Sequence, residues 1–295
     1  MITTTRRQLL GGIAAVGGAY GLGLATPRIV SYVEQAPFRR AVDAVLPSRP
    51  IATGLDIAPP LAKLVEAGAI DRDKFVTAHR DRGPVPDWVL QALEGRSQEL
   101  ILSIKTAAYN LNLLWPLGLA TRATFNTDSP IRGDDLANFA STGGWTLGRQ
   151  SNGAVYFDAV ETLTLTPGQA DLVRRLAGNV YRPCCGNSAF FQDCNHGSAI
   201  LALLELAAAD GRKPAEILGL AKAANGLWYP QEYVEIALYF DAIEGLAWSA
   251  VPAERALSAE FSSIAGLQTN VRVPLARQGL LAPVPGNDRG SGCAV

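Results

Sequence analysis

The sequence predicts a mainly α-helical protein: an antiparallel, bundle-like helical domain with a turn-rich loop region and an extended C-terminal tail. One observation behind this prediction is that apolar residues recur at steps of three and four in several segments, which is the period of an amphipathic helix. Another is that capping signals open these segments. In addition, the helices of the second half are short and joined by brief polar turns, which is typical of antiparallel bundles.

Length, composition and charge restrict the class of protein. The chain has 295 residues, of which 48% are apolar and 18% are charged, so its composition is that of a globular protein. Residues 26–295 are enough for one large domain or two small ones. The formal net charge of −1 comes without a strongly basic patch, which argues against nucleic acid as a partner.

The beginning of the chain has the layout of an export signal. Arg6 and Arg7 precede an uncharged, glycine-rich run over residues 9–25, which ends in the small-residue exit Gly23-Leu24-Ala25. Residues 5–10, Thr-Arg-Arg-Gln-Leu-Leu, resemble a twin-arginine signal peptide. The resemblance implies export of a folded protein to the periplasm or another extracytoplasmic location. We expect cleavage near Ala25, and the alternative is retention of this segment as a membrane anchor.

Proline and glycine divide the rest of the chain. Six prolines between residues 26 and 60 predict a linker or entry segment. Residues 61–266 form the predicted helical domain. Periodicity is lost over 267–295, where prolines and a Gly-Ser-Gly sequence predict a loosely packed tail.

The first half contains one long periodic segment and several short ones. Short helices are predicted at 58–67, 71–80 and 84–95. The long helix is predicted over 97–115, with Ser97 as its cap and an end at Trp115, because the residue before a proline disfavours helix. We expect this helix to lie in the core. His79 falls among charged residues and is expected to be solvated.

Residues 120–160 are rich in Asn, Asp, Ser, Thr and Gly and are predicted to form loops. A short hairpin is expected near 154–157. Trp145, flanked by glycines, is expected to fold inward, and the glycines around it match no phosphate-binding motif.

The second half carries the clearest helix signals. Thr166 and Gln169 form a capping box for a helix that extends to about Ala177. Further helices are predicted at 197–209, from Pro214 to about Ala224, and from Pro230 onward, each bounded by Pro, Gly or Asn.

The candidate functional residues lie between two of these helices. Residues 184–196 hold three of the four cysteines and one of the two histidines: Cys184, Cys185, Cys194 and His196. We expect Asp193 or Asn195 to cap the helix that follows, so that Cys194 and His196 lie in its first turn. Free amides and the helix dipole favour a thiolate at such a position.

The leading interpretation is an exported metal-binding protein that serves electron transfer or metal handling. Cys184, Cys185, Cys194 and His196 supply three sulfurs and one nitrogen, a donor set that suits tetrahedral zinc. Sulfur-rich donation also suits copper(I) or an iron–sulfur cluster. Gly186 and Gly197 allow the backbone to bend around an ion.

Two other interpretations use the same cysteines. In a thiol–disulfide oxidoreductase, one of the adjacent Cys184 and Cys185 attacks and the other resolves. A cysteine loop that leads into helices resembles the thiol proteins of cytochrome c maturation, although those proteins use Cys-x-x-Cys. In a non-catalytic helical protein, Cys184 or Cys185 pairs with Cys194, and the remaining cysteine pairs with Cys293. The sequence allows three full pairings of four cysteines.

Overall fold

The computed structural model describes residues 36–140 and 145–281. The predicted export signal lies outside the described residues, and so do residues 282–295 of the predicted tail, which include Cys293. Among the described helices, none combines the length and the apolar character needed to cross a membrane.

Short helices, one long helix and two strands make up the first half. Its elements are α1 (Ala36–Val45), β1 (Ile51–Asp56), α2 (Ala58–Ala67), α3 (Arg72–Ala78), α4 (Asp87–Leu93), β2 (Glu99–Leu102), α5 (Ala107–Ala120) and α6 (Leu136–Ala140). The two strands pair antiparallel, with Ile51 opposite Leu102 and an irregularity between Ala52 and Asp56.

The named elements of the described second half are all helices, joined by loops. Its elements are α7 (Pro167–Ala177), α8 (Asn195–Ala209), α9 (Pro214–Trp228), α10 (Pro230–Ala242), α11 (Ala253–Ala256), α12 (Ala259–Ser262), α13 (Ile264–Gly266), a π-helix (Leu267–Arg272) and α14 (Val273–Arg277). The predicted mainly α-helical fold is confirmed.

The core is built around α8, which packs against α5, α7 and α9. Almost every residue of α8 is buried, so the helix is apolar on all sides rather than on one face. Its closest approach is to α5, where a Cβ added to Gly118 would lie 1.9 Å from the carbonyl oxygen of Ser198. Only glycine permits this crossing, which fixes the start of α8 and the loop before it against α5.

The prediction for residues 97–115 is wrong at both ends. Residues 99–102 form β2, with Leu100 and Leu102 buried on one side, because a short apolar run fits a period of two as well as a helical one. Helix α5 begins at Ala107 and continues through Pro116 to Ala120. A proline removes one helical hydrogen bond, and the packing of this buried helix compensates for that loss.

The predicted linker and tail are more ordered than their prolines indicate. Phe38, Val42 and Val45 of α1 are buried, and α1 packs against α10. At the other end, Leu267 and Leu275 are buried within the π-helix and α14. In both segments the apolar residues recur at helical spacing and contact the core, and this burial outweighs the local effect of proline and glycine.

Smaller differences concern the loops and one helix end. The expected hairpin at 154–157 is instead a 3₁₀ turn over Gly153–Tyr156. Helix α9 passes through Asn225 and Gly226, both buried, and ends at Trp228. The inward position of Trp145 is confirmed, because it is only 7% exposed and its ring meets Trp115 edge-on at 5.1 Å.

His79 is buried rather than solvated. It is 1% exposed, its Nδ1 lies 2.8 Å from the carbonyl oxygen of Phe75, and its Nε2 lies 3.0 Å from Nδ2 of Asn112. The ring stacks between Phe75 and Tyr109. Burial lowers the pKa of His79, which is therefore a neutral core residue.

Candidate functional site

The cysteine loop between α7 and α8 folds back on itself and is attached to the C-terminal helices. Tyr181 and Ser188 form an isolated antiparallel bridge, and the amide of Tyr181 donates to the carbonyl of Leu257 at 2.7 Å. The carbonyl of Cys185 accepts from the amide of Ile264 at 3.0 Å. The loop therefore has a defined shape around its cysteines.

Arg182 lies at the centre of this loop. It is 1% exposed, and its Nε donates to Sγ of Cys194 at 3.3 Å. Its Nη1 donates to the carbonyl of Ser188 at 2.7 Å, and its Nη2 donates to the carbonyl of Phe191 at 3.0 Å and to the carboxylate of Asp193. All three guanidinium nitrogens thus have acceptors, which the burial of a cation requires.

The charge of Arg182 interacts with all three cysteines of the loop. Burial alone would lower the pKa of Arg182, but negative charge on Cys194, Cys185, Asp193 and Cys184 raises it. The guanidinium therefore stays charged and places a positive potential among the three sulfurs.

Glycine at 197 makes room for this guanidinium at the start of α8. A Cβ added to Gly197 would lie 2.8 Å from Cζ of Arg182. Asp193 is held in turn by Asn187, whose Nδ2 donates to Oδ2 at 2.6 Å. The arginine, its carboxylate and the helix terminus therefore form one buried unit.

The cap of α8 is the sulfur of Cys194, not Asp193 or Asn195 as predicted. Sγ of Cys194 accepts from the amide of Gly197 at 3.4 Å. Asp193 is engaged by Arg182, and Oδ1 of Asn195 accepts from the amide of His196 at 2.9 Å. The predicted place of Cys194 and His196 at the start of this helix is right.

The adjacent Cys184 and Cys185 are both half-buried and have different partners. Sγ of Cys184 accepts a hydrogen bond from the hydroxyl of Tyr229 at 3.0 Å. Sγ of Cys185 lies 3.9 Å from the carbonyl oxygen of Asn187. A hydrogen bond with Cys184 lowers the pKa of Cys185, burial opposes this shift, and the charge of Arg182 lowers the pKa further.

The ring of His196 packs near two aromatic rings. Its ring lies 4.6 Å from that of Tyr229 and 6.1 Å from that of Trp228. Its Nδ1 is buried and has no hydrogen-bond partner among the described residues. The ring of Tyr229 thus contacts His196, and its hydroxyl contacts Cys184.

The four predicted metal ligands lie in the loop and at the start of α8. Within residues 36–140 and 145–281, no group of three or more His, Cys, Asp or Glu side chains is arranged to hold a metal ion. Sγ of Cys194, one of the four predicted ligands, accepts a hydrogen bond from Arg182. Metal binding by Cys184, Cys185, Cys194 and His196 stays a prediction.

Two residues of the site were not found from the sequence. Arg182 stands two positions before Cys184, but nothing in its neighbourhood marks an arginine as buried. Tyr229 is separated from the loop by forty-five positions along the chain, and its only signal is its place between two helices. Comparison with protein-family models, curated proteins and solved structures finds no match for this chain.

Proposed function

We propose that the cysteine loop is a thiol–disulfide exchange site, in which Cys185 is the attacking sulfur and Cys184 the resolving one. The observation that carries this proposal is a pair of adjacent, half-buried cysteines in a loop built around the buried cation of Arg182. Thiolate is the reactive form of cysteine, and a nearby positive charge increases its population.

The environment of each sulfur supports this division of roles. Cys185 is half-buried, has a lowered pKa and is followed by the exposed Gly186. Cys194 is only 3% exposed and is held by Arg182 and by the amide of Gly197. Cys194 therefore serves as a charge partner of the arginine and as the helix cap.

The electrons and protons of the exchange balance between the cysteine pair, the partner disulfide and solvent. The thiolate of Cys185 attacks a disulfide of a partner, forms a mixed disulfide and releases one partner thiolate. Cys184 then loses its proton to solvent and attacks Sγ of Cys185, so that the second partner thiolate leaves. The cysteine pair has lost two electrons and the partner disulfide has gained them, and the same steps in reverse let the oxidised pair accept electrons from a partner dithiol.

The adjacency of Cys184 and Cys185 determines which direction of the thiol–disulfide exchange is favoured. Neighbouring Cα atoms are about 3.8 Å apart across a trans peptide bond, whereas disulfides usually join Cα atoms about 4.4–6.8 Å apart. A disulfide between Cys184 and Cys185 is therefore strained, and strained disulfides are the more readily reduced ones. Such a pair acts as an oxidant of partner dithiols.

Export belongs to the same proposal. Residues 5–10 support transport through the twin-arginine route, and disulfides persist outside the cytoplasm. We expect the wild-type chain in the exported fraction, and the double variant Arg6→Lys with Arg7→Lys to remain in the cytoplasm. Normal export of that variant would contradict this part of the proposal.

Thiol counts and metal content of the exported protein distinguish the exchange, metal-binding and structural interpretations. We expect protein purified without added metal to lose two thiols on mild oxidation, to regain them with a mild reductant and to contain no stoichiometric metal. A metal bound in stoichiometric amount, and released when Cys184 or Cys185 is replaced by serine, would instead establish the metal-binding interpretation. Disulfides that resist mild reductant would establish a purely structural role.

A further inference from the structure

Tyr229 is placed to act on the resolving cysteine. It follows the last residue of α9, is 8% exposed, and directs its hydroxyl to Sγ of Cys184 at 3.0 Å. The ring is held by its tilted contact with His196 at 4.6 Å. The helix junction thus fixes one hydroxyl donor on one of the two adjacent sulfurs.

We infer that Tyr229 is a catalytic residue that selects Cys184 as the sulfur that leaves when the oxidised pair is reduced, and so directs the partner onto Cys185. This inference rests on the proposed exchange function. It names the residue that decides which of two adjacent sulfurs forms the mixed disulfide.

The step needs a donor that keeps its proton. When a partner thiolate attacks Sγ of Cys185, the bond between Cys185 and Cys184 breaks and its electron pair goes to Sγ of Cys184. The hydroxyl of Tyr229 donates to that sulfur before and after the step and transfers no proton. Burial, and then the negative charges of Cys184 and Cys194, raise the pKa of Tyr229 well above its ordinary value, so the hydroxyl remains a donor at neutral pH.

The hydrogen bond strengthens as the reaction proceeds. A hydrogen bond to a charged acceptor is roughly twice as strong as one between neutral groups. The sulfur of Cys184 is neutral in the disulfide and gains charge as the disulfide breaks, so Tyr229 stabilises the transition state more than the ground state. The opposite attack, on Cys184, would leave the charge on Cys185, and the hydrogen bond from Tyr229 to Cys184 would not strengthen in that step.

The test compares Tyr229→Phe with Tyr233→Phe in the full chain. The hydroxyl of Tyr233 contacts Asn225 and Ser262 rather than the cysteines, so this variant controls for the loss of a buried hydroxyl. We expect reduction of the oxidised pair by glutathione to be about tenfold slower or more in Tyr229→Phe, as for the loss of a hydrogen bond to a charged group. Tyr233→Phe should react at the wild-type rate.

The position of the glutathione adduct gives a second readout. In the wild type, peptide mass spectrometry should find the transient adduct on Cys185, and in Tyr229→Phe it should appear on both Cys184 and Cys185. Tyr229→His keeps a ring and an N–H donor, and should recover part of the rate if the phenylalanine variant folds poorly. Wild-type rates and adduct position in both Tyr229 variants would overturn the inference, whereas a wild type that forms no disulfide would overturn the proposed function itself.

Discussion

At the scale of single residues, Arg182 is the main determinant of the site. A buried guanidinium requires acceptors for all its nitrogens, and here a sulfur, backbone carbonyls and the carboxylate of Asp193 supply them. The same charge favours thiolate at Cys185. One arginine therefore orders the loop and, in the proposed exchange, also activates Cys185.

We expect Arg182→Met to destabilise the protein by about 3–5 kcal/mol, because it leaves the carboxylate of Asp193 without its buried partner. Chemical denaturation measures this loss. The matched control is Arg174→Met, which removes a surface pair with Asp128 and should cost less than about 1 kcal/mol.

The milder variant Arg182→Lys keeps a charge but cannot reach all of the acceptors, and it tests the activation separately. We expect the pKa of Cys185, measured by the pH dependence of its alkylation, to stay lowered in Arg182→Lys and to rise in Arg182→Met, which removes the charge. A profile that is unchanged in Arg182→Met would show that Arg182 only supports the fold.

The sequence identified the cysteines but not their partners. Cys184, Cys185 and Cys194 stand out because soft, reactive residues are rare and clustered in this chain. The burial of Arg182 and the reach of Tyr229 depend on how the helices pack, and neither residue carries a local pattern that reveals it. The predicted solvation of His79 failed for the same reason, because its charged neighbours say nothing about the contact with Asn112.

At the scale of elements, α8 links the site to the core. Its first turn holds the sulfur of Cys194, and its next turn meets α5 where Gly118 allows close contact. Helix boundaries marked by caps were predictable, as Thr166 and Gln169 show for α7. The extent of α5 was not predictable from the sequence. A proline such as Pro116 would end an isolated helix, but the packing of α5 in the core lets the helix continue through it.

Helix α8 also carries a buried acid that gives a pH-dependent prediction. Glu205 is 0% exposed, and neither carboxyl oxygen has a hydrogen-bond partner among the described residues. Burial, and then the charge of Asp158, raise the pKa of Glu205 well above its ordinary value. The folded protein therefore retains this proton at a pH where the unfolded chain has lost it.

We expect this acid to cost stability as the pH rises from the ordinary pKa of a glutamate, about 4.3, toward the raised folded value. Glu205→Leu should increase stability at neutral pH by about 1–3 kcal/mol, the cost of a buried polar group without a partner. It should also flatten the dependence of stability on pH. Denaturation between pH 5 and 8 measures both effects, with the exposed Glu254→Leu as the control. A loss of stability in Glu205→Leu would show that the carboxyl has an essential partner.

At the scale of the whole molecule, the second half forms the site and the first half supports it. Trp228 of α9 donates from Nε1 to the carbonyl of Ala107 at 3.0 Å, which ties the site to the first turn of α5. The C-terminal helices hold the loop through Ile264 and Leu257. The fold class was predictable because helical periodicity is local, whereas these long-range contacts follow from the packing of several elements at once.

The position of the disulfide tests the central claim most directly. The full chain is oxidised with glutathione disulfide, its remaining thiols are blocked, and the cross-linked peptides are identified by mass spectrometry, with Cys194→Ser as a control. We predict a reversible disulfide between Cys184 and Cys185 in the wild type and in the folded Cys194→Ser variant, and none in Cys184→Ser or Cys185→Ser. A disulfide that always includes Cys194, or a pair that resists oxidation while the protein binds a metal ion, would contradict the account.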